Sequence, residues 1–156
     1  MRAIDVEDLE AELGDMARQF ESASLEEPLR ESVLPIIREG FAENFTAAVG
    51  SEGGAWPARK PPRYGKDDGH PLLQDTLALF EATQGGAGGV AEVAGRDLSV
   101  GVDTGVKQGG IPGAAVHNFG YGPIPQREFL YASDDTLDRA SAALAEGAFT
   151  VLFASP

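Results

Sequence analysis

Asp103-Thr104-Gly105 follows the apolar run 98–102 and has the residue types of an aspartic-protease loop. In that chemistry two aspartates share a proton and activate water, because carboxylates so close cannot both ionise. The loop must therefore be duplicated or meet its mate in a symmetric dimer. Here it occurs once and is followed by Val106-Lys107, where that chemistry prefers a small residue and then Ser or Asp. A strand ending in a turn accounts for the tripeptide, and a dimeric protease built on Asp103, Thr104 and Gly105 is the competing enzyme reading.

Asp67-Asp68-Gly69-His70 offers oxygen and nitrogen ligands in four residues, but the chain's other histidine is His117, and a solvated turn or helix cap is expected instead of a metal site. With no cysteine, disulfides, thiol nucleophiles and thiolate zinc sites are excluded. Neither glycine cluster is followed by Gly-Lys-Ser/Thr, so no phosphate cradle is expected. No cofactor is implied. Pro61-Pro62-Arg63-Tyr64 matches the short Pro-Pro-x-Tyr ligand of WW domains, so an adaptor docking through it is the competing binding reading; four residues match often by chance, and a stiff loop is the expectation. His117 has no serine or cysteine partner and is expected to bond backbone at the Gly120 corner. Arg127, among bulky apolar neighbours, is expected in a partly buried ion pair or against a neighbouring subunit's carboxylate.

The elements that must position these groups follow from periodicity. Val6, Leu9, Leu13, Met16 and Phe20 share one stripe, which predicts a helix over residues 5–22 packed on its own domain. A second helix is expected from Glu27-Pro28 through Phe45, kinked or interrupted at Pro35. Residues 50–70 form a basic loop rich in Pro and Gly. It holds the only Trp, Trp56, together with Arg59, Arg63 and Tyr64, and two readings stand side by side: an arm that reaches a partner, or a Trp56 lid on the core. A helix is expected over 71–84 and a hairpin of strands 90–94 and 98–102, turning at Gly95-Arg96-Asp97. After a flexible loop at 105–113, a third strand at 114–119 completes an antiparallel sheet. Gly120, Gly122, Pro123 and Pro125 then force a hard corner that presents or packs Ile124, Phe129 and Leu130. A last helix at 134–146 is capped by Ser133 or Asp134 and stopped by Gly147, and the β-prone run Phe149–Phe153 would add an edge strand, paired to avoid aggregation. The expectation is one α+β domain over residues 1–156: N-terminal helices, a central antiparallel sheet and a C-terminal helix.

At 156 residues, 42% hydrophobic and 24% charged, the chain suits a single globular core. No apolar run reaches the roughly 20 residues of a membrane span, and the N-terminal residues lack a signal peptide's apolar centre, so a soluble, intracellular protein is expected. The net charge of −13 is uneven: residues 1–52 carry 13 acids and 4 bases (−9), whereas residues 53–70 carry 2 acids and 4 bases (+2). So acidic a surface argues against tight nucleic-acid binding.

Four segments in order carry a family resemblance. Ala115-Val116-His117-Asn118-Phe119-Gly120 with Ile124-Pro125-Gln126-Arg127-Glu128-Phe129-Leu130 resembles the paired A-x-H-x-F-G and I-P-x-R-x-F-L signatures of the phage virion morphogenesis family. These are the tail-completion proteins of contractile-tailed phages such as Mu and P2. Trp56-Pro57 with Arg59-Lys60 and Arg63 resembles its W-x-x-L-x-x-x-T-x-x-R/K segment. The run from His70 to Leu77 resembles H-P-L-L-x-x-T-G-x-L, with Leu77 in the place of the glycine; Gln126 and Glu128 replace an alanine and a proline. The resemblance implies a structural protein and no enzyme. It would join phage tail-tube, terminator or connector proteins as a homo-oligomeric ring, in the bacterial cytoplasm during assembly and then in the virion tail. An acidic wall in such a ring would let DNA pass without sticking. The candidate contact residues are Trp56, Arg59, Arg63, Tyr64, His117, Phe119, Arg127 and Phe129.

Overall fold

A computed structural model describes residues 6–58, 72–73, 77–103, 105–108 and 111–153, and over them the chain is α+β. Helix α1 (Val6–Ser22) follows the heptad-like stripe. It does not pack that stripe on its own domain as expected: Leu13, Met16 and Phe20 are 55%, 47% and 44% exposed. The helix is tied down at its C-terminal end, where the Arg96 guanidinium donates to the carbonyls of Phe20 and Glu21 at 2.6 and 2.8 Å and lies over the Phe20 ring. Those are carbonyls that the end of a helix leaves without an intrahelical partner.

The interruption expected at Pro35 takes the form of a π turn, Leu29–Val33, between α2 (Glu26–Pro28) and α3 (Leu34–Ala47). A proline in a regular helix has no N–H to donate and presses its ring on the carbonyl four residues back; one wider turn immediately before it relieves both. Helix α3 then crosses α6 (Asp134–Phe153) at Gly40, where a β-carbon would stand 2.6 Å from the Thr136 hydroxyl. The start of α6 is capped as expected, with Ser133 Oγ accepting the Thr136 N–H at 3.2 Å.

The hairpin of β1 (Gly89–Ala94) and β2 (Asp97–Val102) is antiparallel, with Ala94 opposite Asp97 across a two-residue loop. Its inward face puts Val93 and Leu98 against one apolar cluster, formed by Leu25, Leu29, Val33, Ala140 and Ala148. Val102 packs against a second, formed by Phe45, Trp56, Leu73, Leu79, Ala114 and Phe129. A short ladder of β3 (Lys107–Gln108) and β4 (Ile111–Pro112) lies where a loop was expected.

Three expected elements differ. Among the described residues the helix expected over 71–84 is found as α4 (Ala78–Thr83), and Leu73 and Leu77 take left-handed backbone at φ of 60° and 56°, which a helix through them would not have. Such a conformation costs about 1–2 kcal/mol for a side chain other than glycine. At Leu73 the cost is offset by burial in the core, a contribution of about 1.5–3 kcal/mol. The third strand is a helix, α5 (Ala114–Phe119), so the sheet beside it stays two-stranded. The edge strand at Phe149–Phe153 is the last part of α6, with the two phenylalanine rings four residues apart in contact, tilted by 38° with centroids at 4.4 Å. Gly147 does not stop that helix: a β-carbon there would come within 2.8 Å of Pro28, so the glycine lets α2 approach α6.

Candidate functional site

The bend is built outward from α5. Helix α5 ends at Gly120, whose φ of 75° disfavours a side chain and whose missing β-carbon leaves room for Gln126 N, 3.0 Å from where it would sit. Tyr121 and Ile124 then exchange both backbone hydrogen bonds, at 3.1 and 3.0 Å, closing a loop over Gly122 and Pro123. From Pro125 the chain runs back along α5 without joining a sheet. A non-strand segment passing through the interior must find partners for each buried N–H and C=O.

Those partners are side chains from three directions. Asn118 Oδ1, on α5, accepts the N–H groups of both Phe129 and Leu130 at 2.9 Å. Asn44 Nδ2, on α3, donates to the carbonyls of Phe129 at 3.1 Å and Tyr131 at 2.8 Å. Trp56 Nε1 donates to the Glu128 carbonyl at 3.0 Å. The Arg127 N–H reaches the His117 carbonyl at 2.7 Å. On the outer side, the Glu128 carboxylate accepts from the Ser51 backbone N–H and hydroxyl, and the Tyr131 hydroxyl donates to the Val49 carbonyl at 3.3 Å. Burial, and secondly the Glu128 carboxylate, push the Tyr131 phenol above its ordinary value. Phe129 is fully buried at the centre, its ring 5.1 Å from that of Phe45, which also meets Trp56 and Phe80 edge-on.

Of the candidate contact residues, Trp56, His117, Arg127 and Phe129 converge on this bend and are buried within the chain. Trp56 is therefore on the core, the second of the two readings open from the sequence. The Arg127 guanidinium donates to the carbonyls of Pro57 at 3.0 Å and Ala58 at 3.3 Å. It thus fixes the backbone at Pro57 and Ala58, next to the buried Trp56. Among the described residues His117 does not bond backbone through its ring as expected: both ring nitrogens are buried with no hydrogen-bond partner there. Burial, and secondly the neighbouring Arg127 charge, lower its pKa from the ordinary histidine value. Phe119 is the exception, 71% exposed, and Tyr121 beside it, not foreseen, is 75% exposed. Arg59, Arg63 and Tyr64 lie outside the described residues, as do the Pro61–Tyr64 ligand motif and Asp67, Asp68 and His70.

Asn44 and Asn118 are the residues that sequence reasoning passed over. The available signal was slight: each precedes a phenylalanine, Asn44 before Phe45 and Asn118 before Phe119. An amide both donates and accepts, and so can satisfy neighbouring backbone N–H and C=O groups without bringing a charge inside.

Asp103 stands on the surface after β2, and its carboxylate accepts the Gly105 N–H at 2.6 Å, closing its own turn. Among the described residues no three carboxylates or histidines are grouped to hold a metal ion, and no helix is long and apolar enough to cross a membrane. Compared with known protein families, curated proteins and solved structures, the chain has no match.

Proposed function

We propose that this chain is an assembly protein that works by fitting protein against protein, and that it is a tail-completion component of a contractile-tailed phage or prophage. The observation that carries the first part is the exposed pair Phe119 and Tyr121, held at the tip of a bend whose stem is bonded on all sides. Large exposed aromatics with a fixed backbone lose little entropy on docking, and such residues dominate the energetics of protein interfaces. No reaction is proposed.

Two features support the phage reading. The paired signatures at 115–120 and 124–130 form one packed unit, which gives a physical reason for them to occur together. Leu77, in the place where the resemblance calls for glycine, has the left-handed backbone that glycine tolerates best. On this reading a ring of copies contacts tail-tube, terminator or connector proteins through the Phe119–Tyr121 tip.

The test is co-expression with the tail-tube and connector proteins of its own genetic neighbourhood, followed by size-exclusion chromatography and electron microscopy. The expected result is a ring that travels with one of these proteins, lost in Phe119→Ser/Tyr121→Ser while the melting temperature is unchanged. A chain that stays monomeric and apart from all of them contradicts the proposal. Acid-optimum peptide cleavage abolished by Asp103→Asn would put the protease reading in its place.

A further inference from the structure

The stripe on α1 is an apolar feature that the fold leaves uncovered. Leu13, Met16 and Phe20 fall three and four residues apart, on one face, and all are about half exposed. A lone helix of 17 residues is near the margin of stability in water, so an apolar face of this length is expected to be covered by a partner. The charge around the stripe says which kind. The helix carries six acids (Glu7, Asp8, Glu10, Glu12, Asp15 and Glu21) against one base, Arg18, which pairs with Asp15. At 3.6 residues per turn Glu10 and Glu12 occupy positions on opposite flanks of the stripe.

A second copy is a poor occupant. Two α1 helices laid stripe to stripe would bring these acids together, and like charges at the flanking positions of a helix pair are what sets coiled-coil partners apart. The rest of the chain is net acidic as well, its 19 acids and 11 bases giving −8. We infer that α1 is a docking helix for another protein, whose binding segment is apolar at its centre and lined by Lys and Arg at its edges. The apolar stripe supplies the contact and the acidic flanks select the partner and exclude further copies of this chain. This inference does not rest on the phage reading and can hold if that one fails.

The experiment uses the full chain and two labelled probes, an amphipathic Leu/Lys helical peptide and its Leu/Glu counterpart, with binding read by fluorescence anisotropy. The Leu/Lys peptide is expected to bind and the Leu/Glu peptide not. Leu13→Gln/Met16→Gln/Phe20→Gln keeps the net charge and is expected to weaken binding by at least about 10-fold, since it removes the apolar contact alone. Glu10→Lys/Glu12→Lys keeps the stripe and is expected to reverse the preference between the two peptides. Raising salt from about 0.05 to 0.5 M is expected to weaken the Leu/Lys complex severalfold. Circular dichroism, expected to be unchanged, checks that each variant still forms the helix, and a variant that loses helicity is replaced by Met16→Gln alone, read in the same way. Undiminished binding by the triple glutamine variant, or equal binding of both peptides, overturns the proposal. So does sedimentation showing that the chain alone self-associates through α1 and that the glutamine variant does not.

Discussion

The bend at 117–131 and helix α1 are both rich in large apolar side chains, and the fold treats them in opposite ways. In the bend, Asn44, Asn118 and Trp56 bond the backbone of an irregular segment so fully that Phe129 can sit at the centre of the core. In α1 the backbone satisfies itself, as any helix does, and nothing compels the side chains inward; Arg96 holds one end and the stripe faces solvent. The difference teaches that burial of a non-regular segment here is decided by who satisfies its peptide groups. Hydrophobicity alone does not decide it.

That contrast can be broken most forcefully at its centre. Phe129→Ala is expected to cost about 3–5 kcal/mol, the usual range for emptying an aromatic site, read as a lower urea midpoint with an unchanged slope. Asn118→Ala removes no large apolar group, yet strands two N–H donors at once, the buried one of Phe129 and the part-buried one of Leu130. It is expected to cost about 2–4 kcal/mol, and a loss under about 1 kcal/mol in chemical denaturation would mean that water replaces the amide.

A gentler perturbation is pH. Because the folded His117 has a lowered pKa, the unfolded chain takes up a proton that the folded one resists. The stabilising preference for neutral His117 is present above about pH 6.5, the ordinary histidine value, and is lost as pH falls from there toward the folded pKa. Wild type is therefore expected to lose stability relative to His117→Gln on going from pH 7.5 to 5.5, and the difference between the two proteins cancels the contribution of the carboxylates. The smallest effect is at Leu77. Replacing it with Gly removes backbone strain of about 1–2 kcal/mol but adds freedom to the unfolded chain, so the melting temperature is expected to hold or rise slightly, where the same change inside α4, Ala82→Gly, lowers it.

Much of this was legible in the sequence. Stripe spacing gave α1 and α3, alternation and a short glycine turn gave the hairpin, and Ser133 marked the start of α6. The failures share a cause. Ala114–Phe119 and Phe149–Phe153 are short apolar runs for which periodicity does not separate strand from helix, and tertiary contacts settle the choice. Gly147 reads as a stop, and only the approach of Pro28 explains why it is not one. At the bend, glycines and prolines marked the corner, but whether Arg127 and Phe129 face in or out depends on Asn44, more than eighty residues away in sequence. A bond across that separation leaves no local pattern to read.

Native-state hydrogen exchange followed by NMR compares the two regions in one experiment. The account predicts that the amides of Arg127, Phe129 and Leu130 exchange only through global unfolding, among the slowest in the protein, while those of α1 exchange through local opening at much lower free energy. Exchange at 127–130 as fast as in α1 would contradict it.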